Sequence, residues 1–371
     1  MQETPRERVL RAIRHEQPEV TPVNLGGIYG IDRWLDRFGA RDEVRLRDLL
    51  GVDIQYARPV LTAEPAEQGL GIFGTPVDGV FGSDGSGYAS ARGGYPLAGA
   101  ASVADVDRFP WPDPSDFDYA VAGRVLRGVS GGQALRVDMK YGIARPGRTL
   151  EESAQSGPWV PLLCSLFDLF GYETALMNLH AEPLVMEAAV RHIEEFTLEF
   201  ARRSLEATAG LADIFWYGDD FASQRGLLLS PDQWRRFLKP TYRKVFELAR
   251  SHGVKVWFHS CGTFRPVLAD LVDCGMDVWE TVQTHLVGNE PEGLKRDFGR
   301  DLSFYGGVST QTTLPFGSPE AVRSEVRERV RVLGENGGYI CGPDHGIMPD
   351  VPIENVLAMI DEARRADVVG G

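Results

Sequence analysis

The second half of the chain repeats one pattern, in which a short apolar run is followed by a polar or glycine-containing turn and then by an amphipathic segment. The apolar runs occupy residues 214–217, 255–259, 277–279, 302–305 and 339–341. Several amphipathic segments contain a proline where a helix would start, a position that proline fits well: Pro231, Pro266, Pro291 and Pro319. The longest helical patterns cover residues 162–179, 183–208, 231–251 and 353–366. Because parallel strands need crossover connections, which are usually helices, the pattern predicts an α/β fold built on a parallel sheet.

The length of the chain favours a closed sheet. At 371 residues the chain exceeds a small domain, but barrels of alternating strands and helices reach this size as one unit. We therefore expect residues 1–371 to form a single distorted (β/α)8 barrel of the TIM type. In such barrels the functional residues lie where strands end and the following loops begin.

The first part of the chain is less regular. A helix is predicted over residues 5–15, with Thr4 as its cap, and would form an N-terminal helical extension of the barrel. A first strand is predicted over residues 20–25. Residues 70–98 are rich in glycine, serine and tyrosine, with strand character only at 77–81. This stretch is predicted to form a glycine-rich lid loop over the barrel.

The composition excludes several classes of partner. Acidic residues outnumber basic residues by 53 to 39, and the formal charge of −14 argues against a surface that binds nucleic acid or anionic membranes. Four cysteines are too few to cross-link a chain of this length, and no apolar run approaches the roughly 18 residues of a membrane helix. We expect a cytoplasmic protein whose partners are proteins or small molecules.

Two potential metal ligands lie at the end of one predicted strand. His259 and Cys261 are two residues apart, so in an extended segment their side chains point to the same side and can share a zinc ion. Cys341 ends another apolar run and is also followed by glycine. A lone cysteine often packs as a small hydrophobic residue, and His-x-Cys is less specific than a Cys-x-x-Cys pair. Spacing alone therefore leaves both a zinc site and simple packing open.

Four segments distributed along the chain form longer motifs. They are Arg6-Glu7-Arg8-Val9-Leu10-Arg11-Ala12-Ile13, Leu228-Leu229-Ser230-Pro231 with Trp234, Gly306-Gly307-Val308-Ser309-Thr310-Gln311-Thr312-Thr313-Leu314-Pro315, and Asp350-Val351-Pro352-Ile353-Glu354-Asn355. These segments resemble the uroporphyrinogen decarboxylase superfamily, and the resemblance covers nearly the whole chain. It implies a single distorted barrel with its functional site at the C-terminal mouth.

That superfamily includes at least two chemistries. The decarboxylases proper work without a metal or cofactor and carry arginines on an N-terminal loop that bind the substrate carboxylates. The corresponding loop here, residues 24–32, contains no arginine, and Arg33 is the first basic residue after it. Binding a polycarboxylated tetrapyrrole without an arginine cluster would leave charges unpaired, at a cost of several kcal/mol.

The other branch comprises zinc methyltransferases that work with corrinoid proteins and carry His-x-Cys followed much later by one cysteine. His259, Cys261 and Cys341 match this pattern. The resemblance implies three protein ligands and one open coordination position, as at a catalytic zinc. The motif Asp-x-His-x-x-Gly, by which corrinoid modules present an axial histidine, does not occur in the sequence. We therefore expect the corrinoid, as methylcobalamin or cob(I)alamin, to be supplied by a partner protein.

Acidic residues follow two of the predicted strands. Asp219 and Asp220 could orient a ligand or form a hydrogen bond with His259, and the alternative is a capping or turn role. Glu280 could fill the open zinc position or hold a zinc ligand by a hydrogen bond, and the alternative is a surface glutamate. We expect all three to be candidates for catalysis.

Residues near the last two strands are candidates for contacts with the cofactor. His345 could act as a general acid or contact the corrinoid, together with Asp344 in the same loop. Gln311 could reach the barrel mouth, or could only fasten its own turn. Trp216 and Trp279 are more typical of a core than of a stacking surface.

The leading hypothesis is a zinc-dependent methyltransferase that moves a methyl group between the corrinoid and a small-molecule thiol, ether or amine. A metal-free lyase of the decarboxylase type and a binding protein with a structural zinc are the alternatives. The sequence leaves open the methyl donor or acceptor, the direction of transfer, the fourth zinc ligand and the oligomeric state, including a homodimer.

Overall fold

A computed structural model gives the structure of residues 3–62, 72–73, 94–129, 131–144, 147–155 and 157–366. Most of the predicted lid, including the predicted strand at 77–81, lies outside these residues. The strands are β1 (Ile54–Ala57), β2 (Val60–Leu61), β3 (Phe117–Asp118), β4 (Ala134–Asp138), β5 (Gly142–Ile143), β6 (Ile214–Gly218), β7 (Ala222–Ser223), β8 (Gly226–Leu227), β9 (Lys255–His259), β10 (Val278–Val282), β11 (Ser303–Val308) and β12 (Tyr339–Pro343).

Helices alternate with the main strands along the second half of the chain. The helices are α1 (Pro5–Ile13), α2 (Asp32–Phe38), α3 (Glu43–Leu49), α4 (Val103–Asp107), α5 (Ala120–Arg127), α6 (Leu150–Ser153), α7 (Leu163–Phe170), α8 (Tyr172–Ala181), α9 (Pro183–Ala207), α10 (Pro231–Phe237), α11 (Lys239–Ser251), α12 (Arg265–Cys274), α13 (Pro291–Phe298), α14 (Thr313–Phe316), α15 (Pro319–Leu333) and α16 (Ile353–Arg365). Seven strands form one parallel sheet in the order β1-β4-β6-β9-β10-β11-β12. The predicted α/β architecture of the TIM-barrel type is confirmed.

An irregular segment before β1 joins the two edges of this sheet. The Val23 carbonyl accepts a hydrogen bond from the Asp53 amide at 2.9 Å, while the Asn24 amide donates to the Cys341 carbonyl at 3.0 Å. The Asp53 carboxylate also accepts from the Val23 amide at 2.7 Å. Residues 20–25, predicted as a strand, make only one bridge, Val23 with Cys341. They nevertheless fill the gap between β12 and β1.

Alternation along the strands divides the core into two clusters. Side chains at one phase of the strands pack with α1 in the barrel interior: Val9, Ala12, Ile13, Ile54, Ala134, Ile214, Trp216, Trp257, Val278, Tyr305 and Ile340. Side chains at the other phase, such as Val137 and Phe258, belong to the larger core that also includes the helices. Helix α1 begins with a capping box between Thr4 and Glu7. The predicted N-terminal extension, α1, thus closes the end of the barrel at which the strands begin. This end is called the lower end below.

Two of the predicted long helices are each divided in two. Residues 162–179 form α7 and α8, which separate at Gly171, where the φ of 84° is a conformation that glycine adopts at no steric cost. Residues 231–251 form α10 and α11, which meet at Leu238. Pro240 lies in the first turn of α11 and has no amide hydrogen to continue the hydrogen bonds of α10. Neither these nor the other described helices are long and apolar enough to cross a membrane.

Candidate functional site

Three side chains with metal-binding atoms meet at the mouth of the barrel, beyond the ends of β6 and β9. The Cys261 sulfur lies 3.6 Å from His259 Nε2, and Asp220 Oδ1 lies 3.7 Å from the same nitrogen. These ligand atoms all lie within 4.8 Å of one another, and the described residues contain no second such group of His, Cys, Asp or Glu. The structure therefore brings together three of the residues that the sequence analysis singled out.

The turn that presents Cys261 is fixed from two sides. The Cys261 amide donates to Asp220 Oδ1 at 2.8 Å, and the Gly262 amide donates to Gln283 Oε1 at 2.8 Å. Gly262 has a φ of 88°, and a Cβ atom there would lie 2.4 Å from the Ser223 carbonyl oxygen. Only glycine fits this turn, so the position of Cys261 is set by the backbone.

A buried carboxylate holds the other nitrogen of His259. Glu280 Oε1 lies 3.1 Å from His259 Nδ1, and Oε2 accepts from the indole of Trp257 and lies 3.4 Å from Arg136 Nη1. Burial opposes the charge on Glu280, but the hydrogen bond with His259 and the charge of Arg136 hold its pKa at about 2. An ionised Glu280 favours the proton on Nδ1, which leaves the lone pair of Nε2 for a ligand shared with Cys261.

Asp219 and Asp220 are neighbours with different environments. Asp219 is fully buried and accepts hydrogen bonds from the Leu163 amide at 2.6 Å, the Cys164 amide at 3.1 Å and the Tyr242 hydroxyl at 2.7 Å. Burial raises the pKa of Asp219 to about 6. These bonds fasten the N-terminus of α7, which is the capping role left open for this residue. Asp220 alone reaches the group at the mouth.

Cys341 is not brought to this group. It is fully buried in the core cluster that includes the outer helices, whereas its neighbour Ile340 lies in the barrel interior. Burial raises the pKa of the Cys341 thiol to about 12, and the side chains that further influence it are Tyr339 and two residues of α15, Glu325 and Arg329. Since successive side chains of a strand alternate between faces, a residue at this phase of β12 points away from the interior. The ligand set implied by the resemblance therefore differs from the observed group.

His345 and Tyr29 lie close to the group. Burial and then the charge of His259 lower the pKa of His345, while the negative charge of Asp220 opposes this shift. Burial, followed by the negative charges of Cys261 and Asp220, raises the pKa of Tyr29 to about 12. The loop before α2, which carries Tyr29, and the loop after β12 thus flank the same site.

Asp344 and Gln311 converge on His285, a residue that the sequence analysis did not single out. Asp344 Oδ1 accepts from the amide and the hydroxyl of Thr310 at 2.8 and 2.7 Å, and Oδ2 lies 3.4 Å from His285 Nδ1. The nearby carboxylate of Asp344 raises the pKa of His285, burial opposes this rise, and Gln311 adds to it. His285 has no motif of its own, and only its place after a strand could have drawn attention to it.

Two indole rings form a wall beside His259. The ring centroids of Trp159 and Trp216 lie 5.6 and 5.7 Å from that of the imidazole, and 6.1 Å from each other. A Cβ atom at Gly218 would lie 2.7 Å from the Trp216 ring and 3.0 Å from the Trp159 ring. The glycine at the end of β6 therefore leaves the space that both rings occupy.

A second group of charged side chains lies against the same wall. On β4 and just beyond it, Arg136, Asp138 and Lys140 occupy alternate positions, the phase that faces the barrel interior. Asp138 accepts from Arg136 Nε at 2.7 Å and from Arg58 Nη2 at 3.3 Å, and Lys140 Nζ lies 4.1 Å from the centroid of a Trp216 ring. The sequence analysis did not single out these residues, although charges at every second position, alternating with Val137 and Met139, were a visible signal.

Arg33, the first basic residue after the N-terminal loop, is engaged elsewhere. Its guanidinium donates to the carbonyls of Pro349 at 2.5 Å and Val351 at 2.7 Å. These bonds fasten the loop before α16 to α2. Residues 24–33 therefore direct no arginine to a ligand at the mouth.

The observed donors suit a zinc ion. Zinc bonds of about 2.0–2.1 Å to nitrogen and about 2.3 Å to sulfur, at a tetrahedral angle, place the two donors about 3.6 Å apart. His259 Nε2 and Cys261 Sγ have this separation, and Asp220 supplies an oxygen 3.7 Å from the same nitrogen. Nitrogen, sulfur and oxygen donors are all found at zinc sites, and three of them leave a fourth position for a small molecule.

The fold and the site define a protein of the α/β barrel class with potential metal ligands at its C-terminal mouth. The model of the uroporphyrinogen decarboxylase (URO-D) family matches residues 154–366, which is more than half of the chain. The chain belongs to that family, and the resemblance seen in the sequence motifs is confirmed.

Curated relatives carry two kinds of name. The methylcobamide:CoM methyltransferase MtaA of Methanosarcina barkeri is 29% identical over 176 residues, which cover 47% of this chain and 48% of that protein. The methylated-thiol–coenzyme M methyltransferase of Methanosarcina mazei is 24% identical over 217 residues, covering 57% and 54%. A uroporphyrinogen decarboxylase of Thermus thermophilus is 28% identical over 189 residues, covering 49% of each. The chain thus spans about half the length of the curated relatives it matches.

A solved structure supports the fold over nearly the full length. A methyltransferase from Methanosarcina mazei superposes with a TM-score of 0.65 at 22% identity, and the match covers 98% of both chains. At this identity the similarity establishes a common fold.

Proposed function

We propose that this protein is a methyltransferase that moves a methyl group between a corrinoid, carried by a separate protein, and a small-molecule thiol, ether or amine, with zinc bound at the barrel mouth. The observation that carries the proposal is the group formed by Asp220, His259 and Cys261, with Glu280 on the far nitrogen of the imidazole. Two relatives named as methyltransferases act, by their names, on coenzyme M, and one of them uses a methylcobamide.

His259 and Cys261 would hold the metal, and two residues compete for the third position. The observed geometry favours Asp220, whose carboxylate lies 3.7 Å from His259 Nε2. The family resemblance implied Cys341, whose side chain lies on the face of β12 that packs against the outer helices, away from the barrel interior. We assign Asp220 to the ligand set because its oxygen is already in place.

When bound, zinc supplies a Lewis acid that lowers the pKa of a thiol acceptor or polarises the atom that loses a methyl group. The residues around it have separate tasks in the proposal. Glu280 fixes the tautomer and orientation of His259 through the 3.1 Å contact. Methylation of a thiol releases one proton, and we assign its acceptance to His345, which lies near Asp220 and His259.

The same site favours the proposal over metal-free decarboxylation. Relatives named uroporphyrinogen decarboxylase are as similar in sequence as those named methyltransferase, at 28% against 29% identity. A decarboxylase that works without a metal would not need the metal-binding atoms of His259 and Cys261 to lie side by side. Residues 24–33 also direct no arginine to the mouth, because Arg33 bonds to the backbone of the loop before α16.

The proposal is tested by following methyl transfer in both directions as a function of metal. Protein stripped with a chelator and reloaded with zinc is mixed with methylcob(III)alamin and a panel of thiols, or with cob(I)alamin and methylated thiols, ethers or amines. We expect the absorbance change of corrinoid methylation or demethylation in one direction, absent in the stripped protein and restored by zinc.

Matched cysteine variants locate the metal. Cys261→Ala should lose most of the zinc and nearly all of the rate, whereas Cys274→Ala, at the end of α12, should keep both. Zinc content after Cys341→Ser and after Asp220→Asn separates the two candidate third ligands. Full activity in zinc-free protein, or release of carbon dioxide from a carboxylated substrate without methyl transfer, would reject the assignment.

A further inference from the structure

The group of charged side chains around β4 contains more positive than negative members. Arg58, Arg136 and Lys140 are three cations, and the carboxylates in contact with them are Asp138 and Glu280. Arg58, Arg136, Asp138 and Glu280 are all less than one-tenth exposed, and Lys140 is partly buried. One positive charge therefore has no carboxylate of its own in this part of the described structure.

Lys140 is the cation without an ion pair. Among the described residues no carboxylate lies within 4.0 Å of its ammonium, which instead sits 4.1 Å from the centroid of a Trp216 ring. Arg136 contacts both carboxylates, and Arg58 uses one nitrogen on Asp138 while its buried Nε has no hydrogen-bond partner in the described structure. Lys140, which forms no ion pair in the described structure and is partly exposed, thus retains donors that a ligand can use, and Arg58 adds a positive charge beside it.

The surroundings of Lys140 disfavour an ammonium group that has no counter-ion. A buried charge without a counter-ion costs free energy, and a cation over an indole recovers only part of that cost. Burial and the nearby charge of Arg58 lower the pKa of Lys140 to about 8, and the charges of Asp138 and Glu280 only partly offset them. An anion placed beside Lys140 would remove this imbalance.

The position of Lys140 relates it to the proposed metal site. Trp216 contacts Lys140 through a cation–π interaction, and its ring also lies 5.7 Å from the imidazole of His259. Glu280 bonds to His259 at one oxygen and lies beside Arg136 at the other. Trp216 therefore contacts both the cation and the imidazole of the proposed metal site.

We propose that Lys140, assisted by Arg58, binds an anionic group of the methyl donor or acceptor, such as a carboxylate or a sulfonate, while the methyl-bearing atom of the same molecule lies at His259 and Cys261. The inference rests on the proposed function and adds a substrate class to it. A neutral or cationic substrate would leave the excess positive charge uncompensated or would increase it. An anionic one forms a charge-assisted hydrogen bond with an ammonium that is already in place.

Equilibrium binding tests the subsite directly. Calorimetric titrations of the zinc-loaded protein compare 3-(methylthio)propionate with 2-(methylthio)ethanol, which share the methylthioether and differ in the polar end. We expect the carboxylate to bind at least about tenfold more tightly, since a hydrogen bond to a charged group is stronger than one between neutral groups. In Lys140→Gln this preference should fall by about tenfold or more, and in Lys140→Arg it should be largely retained.

A lysine elsewhere provides the matched control. Lys244 lies on α11 with a 52% exposed side chain, and Lys244→Gln should keep the wild-type preference for the carboxylate. Equal affinity for the two compounds in the wild type, no measurable binding of either at millimolar concentration, or a preference that survives Lys140→Gln in a folded protein would overturn the inference.

Methyl-transfer kinetics separate this inference from the function on which it rests. The ratio of kcat/KM for 3-mercaptopropionate to that for 2-mercaptoethanol should follow the binding preference across the same variants. Transfer with an unchanged ratio in Lys140→Gln would reject the anion subsite and keep the methyltransferase. Carboxylate binding that depends on Lys140, without methyl transfer in either direction, would reject the methyltransferase and keep the subsite.

Discussion

The two ends of the barrel interior use the same strands for opposite purposes. At the lower end, Ala134 of β4 and Ile214 of β6 pack with α1 in an apolar cluster with little exposure. A few residues further along β4, and on or just after the neighbouring strands, the interior contains Asp138, a glutamate, a histidine and three cations. The lower end stabilises the fold by burial, while the upper end holds charges that are costly to bury. Stability and chemistry are thus separated along each strand rather than between domains.

The largest effect should come from removing the imidazole at the upper end. In His259→Ala we expect methyl transfer to fall by at least about 100-fold, because both the metal ligand and its link to Glu280 are lost. The thermal midpoint should remain within a few degrees of that of zinc-free wild type, as measured by calorimetry. A large loss of fold would show that the mouth also supports the barrel, against the proposed separation.

The lower end should give the reverse result. Ile13 of α1 is 2% exposed in the interior cluster, and Ile13→Ala should lower the free energy of unfolding by about 2–5 kcal/mol. Zinc content and kcat/KM at a temperature where the variant is folded should stay at the wild-type level. Val287→Ala, at an 85% exposed side chain, is the control and should change the stability by less than about 0.5 kcal/mol.

The adjacent residues Asp219 and Asp220 test most sharply whether stability and metal binding depend on different side chains. Asp219→Asn should cost about 1–3 kcal/mol of unfolding free energy, since an amide cannot accept every bond that fastens α7 and Tyr242. Asp220→Asn should instead weaken zinc binding by about 10- to 100-fold with little change in stability. Denaturant unfolding and metal competition measure the two effects. Identical behaviour of the two variants would contradict their separate assignments.

The smallest expected effect is a gain in stability from Lys140→Met, which removes a charge that is costly to bury. The pKa of Lys140 is lowered from 10.5 to about 8 in the folded protein, so its protonation opposes folding fully below about pH 8. As the pH rises toward 10.5 the folded state loses this proton first, and the cost disappears. The stability advantage of the variant should therefore be largest below pH 8 and shrink toward pH 10.5 in denaturant titrations. An advantage that is constant with pH would reject this account.

The fold could be predicted because the apolar runs and the helix starts are local signals. β9 has the predicted bounds, and the other main strands of the second half begin within a residue of their predicted starts. The divisions at Gly171 and Leu238 were missed because the apolar pattern continues across both. Residues 20–25 were predicted as a strand from their composition, but their hydrogen bonds are too irregular for one.

The candidate site was harder to predict because it depends on the face of a strand. The spacing of His259 and Cys261 requires only that one segment be extended, and the two lie together. Placing Cys341 required the phase of β12, which an apolar run does not reveal, and a shift of one residue moves a side chain to the opposite face. The same limit applies to Asp219 and Asp220, whose environments differ although they are consecutive.

The irregular segment that joins β12 to β1 has a consequence for synthesis in the cell. The Asn24 amide donates to the Cys341 carbonyl and the Cys341 amide donates to the Pro22 carbonyl, so this segment depends on a strand that is translated much later. At about 5–20 residues per second, the interval between them is on the order of tens of seconds. During this time the parallel sheet has an unpaired edge beside β1, and such edges favour association with other chains. The nascent protein should therefore depend on chaperones until β12 has been translated.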